Sequence, residues 1–193
     1  MLETLRLMLL PCSCDELLLG HRSFARLAQR KGLRLYPGTP DNRRLQKRVF
    51  RAKARLIDEH PQTWLLCTAW LIVEKKTQTV MGDLGFKGYW PQENFWDAFP
   101  AREMRSGRRT ERGIELGYGL YHPFHGQGYM TEAVSALCRF ALCQTQHPVC
   151  RIEALTRPDN SASHRVLEKN GFRRGGEQDG LFFWEKIKPL SGG

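Results

Sequence analysis

Several common functional signatures are missing from this sequence. Its six cysteines, Cys12, Cys14, Cys67, Cys138, Cys143 and Cys150, form no CxxC pair and have no histidine at zinc-finger spacing. That leaves no signal for a structural zinc or a dithiol centre and predicts reduced thiols, as in a cytoplasmic protein, with no metal site. No GxxxxGK[ST] occurs, which excludes a P-loop. Long apolar runs are absent too. The leucine-rich start, Leu2 to Leu10, is interrupted by Glu3 and Arg6 and followed by no small-residue cleavage site, so it reads as a first strand. Acidic residues are the scarce charge: 20 Asp and Glu face 30 Lys and Arg, a formal net charge of +10.

Much of that excess lies in two clusters without interleaved aromatics, which counts against stacking on single-stranded bases. The first is Arg43, Arg44, Lys47, Arg48, Arg51, Lys53 and Arg55, on an expected helix with Leu45, Val49, Ala52 and Leu56 as its apolar face and Asp41 as N-cap. The second, Arg102, Arg105, Arg108, Arg109 and Arg112, falls in a long connection from Pro91 to Gly113 that also holds Trp96 and Phe99. Two readings stand: solvated surface, or attraction of a polyanion.

What is present suits one compact domain spanning residues 1–193, 41% hydrophobic and 26% charged. Patterning predicts a mixed α/β order. A strand is followed by two helices, a hairpin, a long connection and a strand at Ile114–Leu120. Then come a glycine turn and helix, a strand, a short helix capped by Asp159 or Asn160, and a hairpin turning at Asp179-Gly180.

The stretch from Glu115 to Phe172 carries the chemistry. His125-Gly126-Gln127-Gly128-Tyr129-Met130 places two glycines where a strand gives way to a helix, so backbone N–H groups can face an anion beside a helix N-terminus. Thr131 offers a hydroxyl. Ala133, Val134, Leu137, Phe140 and Ala141 give the helix its apolar face, with His147 and Pro148 at its end. A Rossmann fingerprint needs a third glycine, and position 131 is threonine. Gly117 and Gly119 mark either a close ligand approach or a bulge.

These residues resemble the GNAT acetyltransferases, within them the branch of ribosomal-protein N-terminal acetyltransferases and their small-amine relatives. The resemblance runs over Trp64–Trp184, where Trp70–Glu74 and Thr79–Phe86 look like the family's central hairpin, and more loosely before it, where it implies a first helix over Asp15–Arg30. The family loop R/Q-x-x-G-x-G/A binds the pyrophosphate of acetyl-CoA and falls on His125–Met130. Gly128 matches it; His125 stands in place of arginine or glutamine, and Met130 in place of a small residue. The resemblance implies a mixed central sheet of about six to seven strands flanked by helices, with strands four and five splayed around pantetheine. It implies acetyl-CoA contacts from Tyr118, Gly119, Leu120, His125, Gly126, Gln127, Gly128, Tyr129, Met130, Thr131, Asn160 and Ser163. Relatives often carry a tyrosine where this chain has Leu167, so Ser163 is the candidate proton donor to the thiolate, with Tyr118 and Tyr121 in reserve. Asn160 and Ser163 are alternatively plain helix caps.

The implied reaction moves an acetyl group from acetyl-CoA to a primary amine, and only an uncharged amine attacks. Deprotonating a lysine at pH 7 costs about 4.6 kcal/mol, an α-amine about 1 kcal/mol. Glu115 is the candidate base, directly or through water; its alternative is a strand carboxylate paired with a nearby arginine. Three functions follow: acetylation of a protein N-terminal α-amine; acetylation of a small amine such as an antibiotic or polyamine, in a pocket using Asp83, Glu93 and Asp97; or an acetyl-CoA sensor without turnover. Neither membrane contact nor an oligomeric state is implied.

Overall fold

Alternation in the strands and i, i+3, i+4 spacing in the helices decide which surfaces meet. The computed structural model describes residues 1–37, 44–89 and 113–188. In chain order the elements are β1 (Leu2–Glu3), β2 (Leu7–Pro11), α1 (Cys14–Arg22), α2 (Phe24–Arg30), β3 (Arg34–Leu35), α3 (Arg44–Glu59), α4 (Trp64–Cys67), β4 (Ala69–Glu74), β5 (Thr79–Tyr89), β6 (Gly113–Leu120), α5 (Tyr129–Leu142), β7 (Arg151–Thr156), α6 (Ser161–Lys169), β8 (Arg173–Gln178) and β9 (Leu181–Ile187). The strands make one mixed sheet in the order β1-β2-β4-β5-β6-β7-β9-β8, with β3 against β5. Short β1 and β3 accompany the seven longer strands expected from the sequence, and β6 and β7 are its strands four and five.

The sheet divides two cores. On one face α5 buries Ala133, Val134, Leu137 and Ala141 against Trp70, Ile72, Phe86, Ile114 and Ile152. On the other, α1 to α3 bury Leu17, Leu27, Phe50 and Ala54 against Leu71, Val73 and Val80. Trp70 and Leu71, and likewise Ile72 and Val73, therefore point to opposite faces, as strand alternation requires. Among the described residues no helix is long and apolar enough to cross a membrane.

The structure corrects the local expectations in four places. The first helix is two helices, because Ser23 is extended and its hydroxyl caps α2 by accepting from the Arg26 N–H at 3.4 Å. The opening strand is a hairpin, β1–β2, bent at Thr4 to Arg6 by a carboxylate from α5. Helix α5 stops at Leu142, short of His147. The buried face of α3 is Phe50, Lys53, Ala54, Leu56 and Ile57, while Leu45 is 63% exposed. Lys53, counted with the surface cluster, is a core residue. Its ammonium donates to the carbonyls of Cys67, Thr68 and Phe86, tying α3 to α4 and β5. Burial, partly offset by Cys67 and Asp83, pulls its pKa down to about 8. Asp41, Arg43, Glu93, Asp97 and the arginines between 102 and 112 lie outside the described residues, as do Trp96 and Phe99.

Candidate functional site

The site begins where two strands part. Strands β6 and β7 are parallel and pair at Gly113↔Arg151, Ile114↔Ile152 and Glu115↔Glu153, and there the ladder stops. Beyond it β6 stays on β5, with Leu116 to Leu120 paired through Phe86 to Gly82, while β7 stays on β9 through Ala154 to Thr156. Two strands anchored to opposite halves of the sheet leave a fork between them. Backbone groups of β6 from Leu116 on have no ladder partner on that side among the described residues, so an extended ligand can supply one.

The fork opens into a cleft of about 350 Å³ bounded by β6, the glycine turn and α6. Tyr118, Gly119 and Leu120 line it from the strand; His125, Gly126, Gly128, Tyr129, Met130 and Thr131 line it from the turn. Gly126 and Gly128 sit at φ of 74° and 80°, the left-handed region where a side chain is strained. Gly128 is the N-cap of α5 and offers no side-chain cap, so the first amides of the helix are left for a ligand. A turn of this shape fits a diphosphate. Gln127 is not in the lining; its amide donates to the Pro123 carbonyl at 2.9 Å. His125 donates from Nε2 to the Leu120 carbonyl at 3.0 Å, since a carbonyl only accepts, which ties the turn to the end of β6.

Behind the turn, Glu132 in the first turn of α5 accepts from the Thr4 hydroxyl at 2.6 Å, the Arg6 amide at 2.8 Å and Arg6 Nε at 2.7 Å. Arg6 also donates to the Gln127 carbonyl at 3.0 Å, and its guanidinium lies 4.2 Å from the centroid of the Tyr129 ring. Tyr129 in turn donates to Glu74 at 3.1 Å. Burial raises the pKa of Glu132, but these three donors outweigh it and hold the carboxyl below the ordinary range.

Helix α6 forms the facing wall. Asn160 is its N-cap, accepting from the Ser163 N–H at 3.2 Å, so its amide nitrogen is the part left for the cleft. Ser163 lines the cleft. Tyr118 directs its hydroxyl to the Ser163 carbonyl at 3.4 Å, and burial pushes its pKa up to about 12. That makes it a poor proton donor to a thiolate. Tyr121 is buried in the opposite core, away from the lining. Leu167 is fully buried, so the position that carries a tyrosine in relatives serves packing here.

Glu115 lies at the base of the fork, only 4% exposed and outside the cleft lining. Its partner is a lysine, Lys87 on β5, in place of the arginine expected. Burial raises its pKa and Lys87 opposes the rise. The sequence reading missed its neighbour. Glu153, also 4% exposed, stands in register beside Glu115 on β7 and pairs with Arg151, which reaches Glu185 at 3.5 Å. Burial raises its pKa as well, countered by Arg151 and reinforced by Glu115. A glutamate flanked by Ile152 and Ala154 in a strand was the available signal. Cys12 and Cys138 are buried thiols whose pKa values burial pushes up to about 12, which leaves them inert at neutral pH.

Comparison with known proteins agrees with this geometry. The chain is 32% identical over 104 residues to the uncharacterized N-acetyltransferase YjdG of Bacillus subtilis (strain 168), a match spanning 54% of this chain and only 50% of that relative. The ribosomal-protein-S5-alanine acetyltransferase of Vibrio fischeri superposes with a TM-score of 0.61 at 18% identity, covering 97% of this chain and 96% of the other. RimL, a ribosomal L7/L12 alpha-N-protein acetyltransferase solved in complex with coenzyme A, gives a TM-score of 0.58 at 18% identity over 95% of both chains. At such identities the structural likeness is one of fold. Residues 6–173 match the model of the acetyltransferase (GNAT) domain, and the chain belongs to the GNAT acetyltransferase family.

Proposed function

We propose that this chain is an acetyl-CoA-dependent N-acetyltransferase acting on protein N-terminal α-amines. The observation that carries the reading is the fork that ends at Glu115 and Glu153 and runs on to the uncapped start of α5. The free edge of β6 suits the amides of a pantetheine arm, and the turn at 126–131 suits a diphosphate. Acetyl-CoA supplies the acetyl group as a thioester. A backbone N–H between Tyr118 and Leu120 stabilises the carbonyl oxygen as it gains charge. Glu115 takes the amine proton through a water, because its carboxyl lies below the cleft, and its raised pKa improves it as a base. Ser163 returns a proton to the departing thiolate. Asn160 orients the arm.

The α-amine acceptor is supported by the modest demand it makes on a base and by the ribosomal-protein acetyltransferases among the fold neighbours. A small-amine acceptor ranks second: of its three carboxylates only Asp83 is described, and Gln46 already donates to it at 2.7 Å. The test measures thiol release with a panel of peptides bearing free or acetylated N-termini, polyamines and aminated antibiotics. Release confined to free N-termini is expected. Release with small amines alone overturns the acceptor assignment, and acetyl-CoA binding without acceptor-dependent release favours a sensor.

A further inference from the structure

In this reading the diphosphate and pantetheine of acetyl-CoA have backbone partners, whereas the ribose 3′-phosphate, a dianion, has none. We propose that Arg165 and Lys169 on α6 hold that phosphate and make the enzyme select acetyl-CoA over its 3′-dephospho form. The inference rests on the cleft being the acetyl-CoA site.

Charge points to it first. Among the described residues lining the cleft, Arg165 and Lys169 carry the permanent positive charges, and no carboxylate faces them there. His125 is committed through Nε2 to the Leu120 carbonyl. Both cations are exposed, and neither has a hydrogen bond or ion pair with a described residue. They stand one turn apart on the same helix face, where like charges repel unless an anion lies between them. An arginine and a lysine so placed give a forked donor and a point charge to one phosphate.

Position points to it second. Asn170, just after Lys169 and 7% exposed, donates to the Thr131 carbonyl at 3.2 Å and the Val166 carbonyl at 2.8 Å. Its own carbonyl accepts from Lys186 of β9. The last turn of α6 is thereby fastened against the first turn of α5, where the diphosphate amides are. The α6 N-terminus, with Asn160 and Ser163, lies toward the pantetheine end of the cleft. The two cations fall on the nucleotide side.

Calorimetric titration of acetyl-CoA and 3′-dephospho-acetyl-CoA into wild type, Arg165→Ala, Lys169→Ala and the double variant tests this. Both side chains are exposed, and thermal melts verify that each variant folds. Wild type is expected to prefer acetyl-CoA by about tenfold to a hundredfold, as one or two charge-assisted hydrogen bonds would give. Each single variant should lose part of that preference and the double variant all of it, with affinity for the dephospho form unchanged. Equal wild-type affinity for both ligands overturns the assignment. So does an equal weakening of both by the variants, which would mean stacking on the adenine instead. Failure of wild type to bind either ligand removes the cofactor reading itself, an outcome distinct from a lost preference.

Discussion

Two glutamates on the two sides of the cleft behave in opposite ways. Glu132, behind the glycine turn, is buried enough to resist ionisation, yet the Thr4 hydroxyl, the Arg6 amide and the Arg6 guanidinium keep it ionised below the usual range. Glu115, at the fork, has one cation beside it and more burial, so its pKa moves up. The number of donors, set against the loss of water, decides the sign. The turn side is therefore a fixed electrostatic scaffold that frames backbone amides, and the fork side keeps a carboxylate able to titrate. Stability follows the same division. Glu132 contributes stability above its unfolded pKa that is lost as pH falls through the lower folded value. Protonated Glu115 favours the fold below its unfolded pKa, and that gain is lost as pH rises through the higher folded value.

The sharpest way to break the contrast is to put a charge on the scaffold side. Gly128→Asp places a carboxylate where an anion binds, at φ 80° and with Arg6 Nη2 3.5 Å from the new Cβ. Acetyl-CoA binding should be lost in calorimetry, while stability falls only by the roughly 1–2 kcal/mol that the left-handed conformation costs a side chain and the protein still folds; undiminished affinity removes the turn from the cofactor site. Removing the titrating group comes next. Glu115→Gln should lower turnover on the order of 10²-fold or more, with acetyl-CoA affinity retained and stability at neutral pH not reduced. In wild type the acid limb of kcat/KM should lie above the ordinary carboxylate range, and wild-type rates in the variant would disqualify Glu115 as the base.

A third prediction concerns the buried charge on α3. Lys53→Met strands the carbonyls of Cys67, Thr68 and Phe86 and should cost about 2–3 kcal/mol in chemical denaturation. Because folding lowers the Lys53 pKa to about 8, the unfolded chain binds more protons between there and 10.5. The Lys53 contribution to wild-type stability should thus rise with pH across that window and vanish in the variant. The smallest effect is at the facing wall. Ser163→Ala should lower turnover about tenfold or less, with α6 intact because Asn160 caps it; an unchanged rate would return the proton donation to solvent.

The turn was legible because backbone chemistry leaves glycines in the sequence. The Asn160 cap, a side chain bonding its own helix start, and the Asp179-Gly180 turn, whose two residues are at positive φ, were legible for local reasons too. The long strands followed from alternation. What stayed hidden depends on partners far along the chain. Nothing near Arg6 announces Glu132, 126 positions away. Leu56 is buried and Val49 and Ala52 pack at the core's edge as expected, but Lys53 also faces inward because the carbonyls of Cys67, Thr68 and Phe86 receive it, and those partners lie outside the helix. Glu115 was found as a residue, but its pairing with Lys87 and its register beside Glu153 required the sheet order.

A last consequence comes from Gly82 on β5. A Cβ there would stand 2.1 Å from the Gly119 carbonyl oxygen. The tilt of that peptide plane, and with it the direction in which the neighbouring amides of β6 look into the cleft, is allowed by a methyl group that the adjacent strand does not carry. Changes at position 82 would thus be felt as misaimed donors across the sheet, long before any residue touching the ligand had been altered.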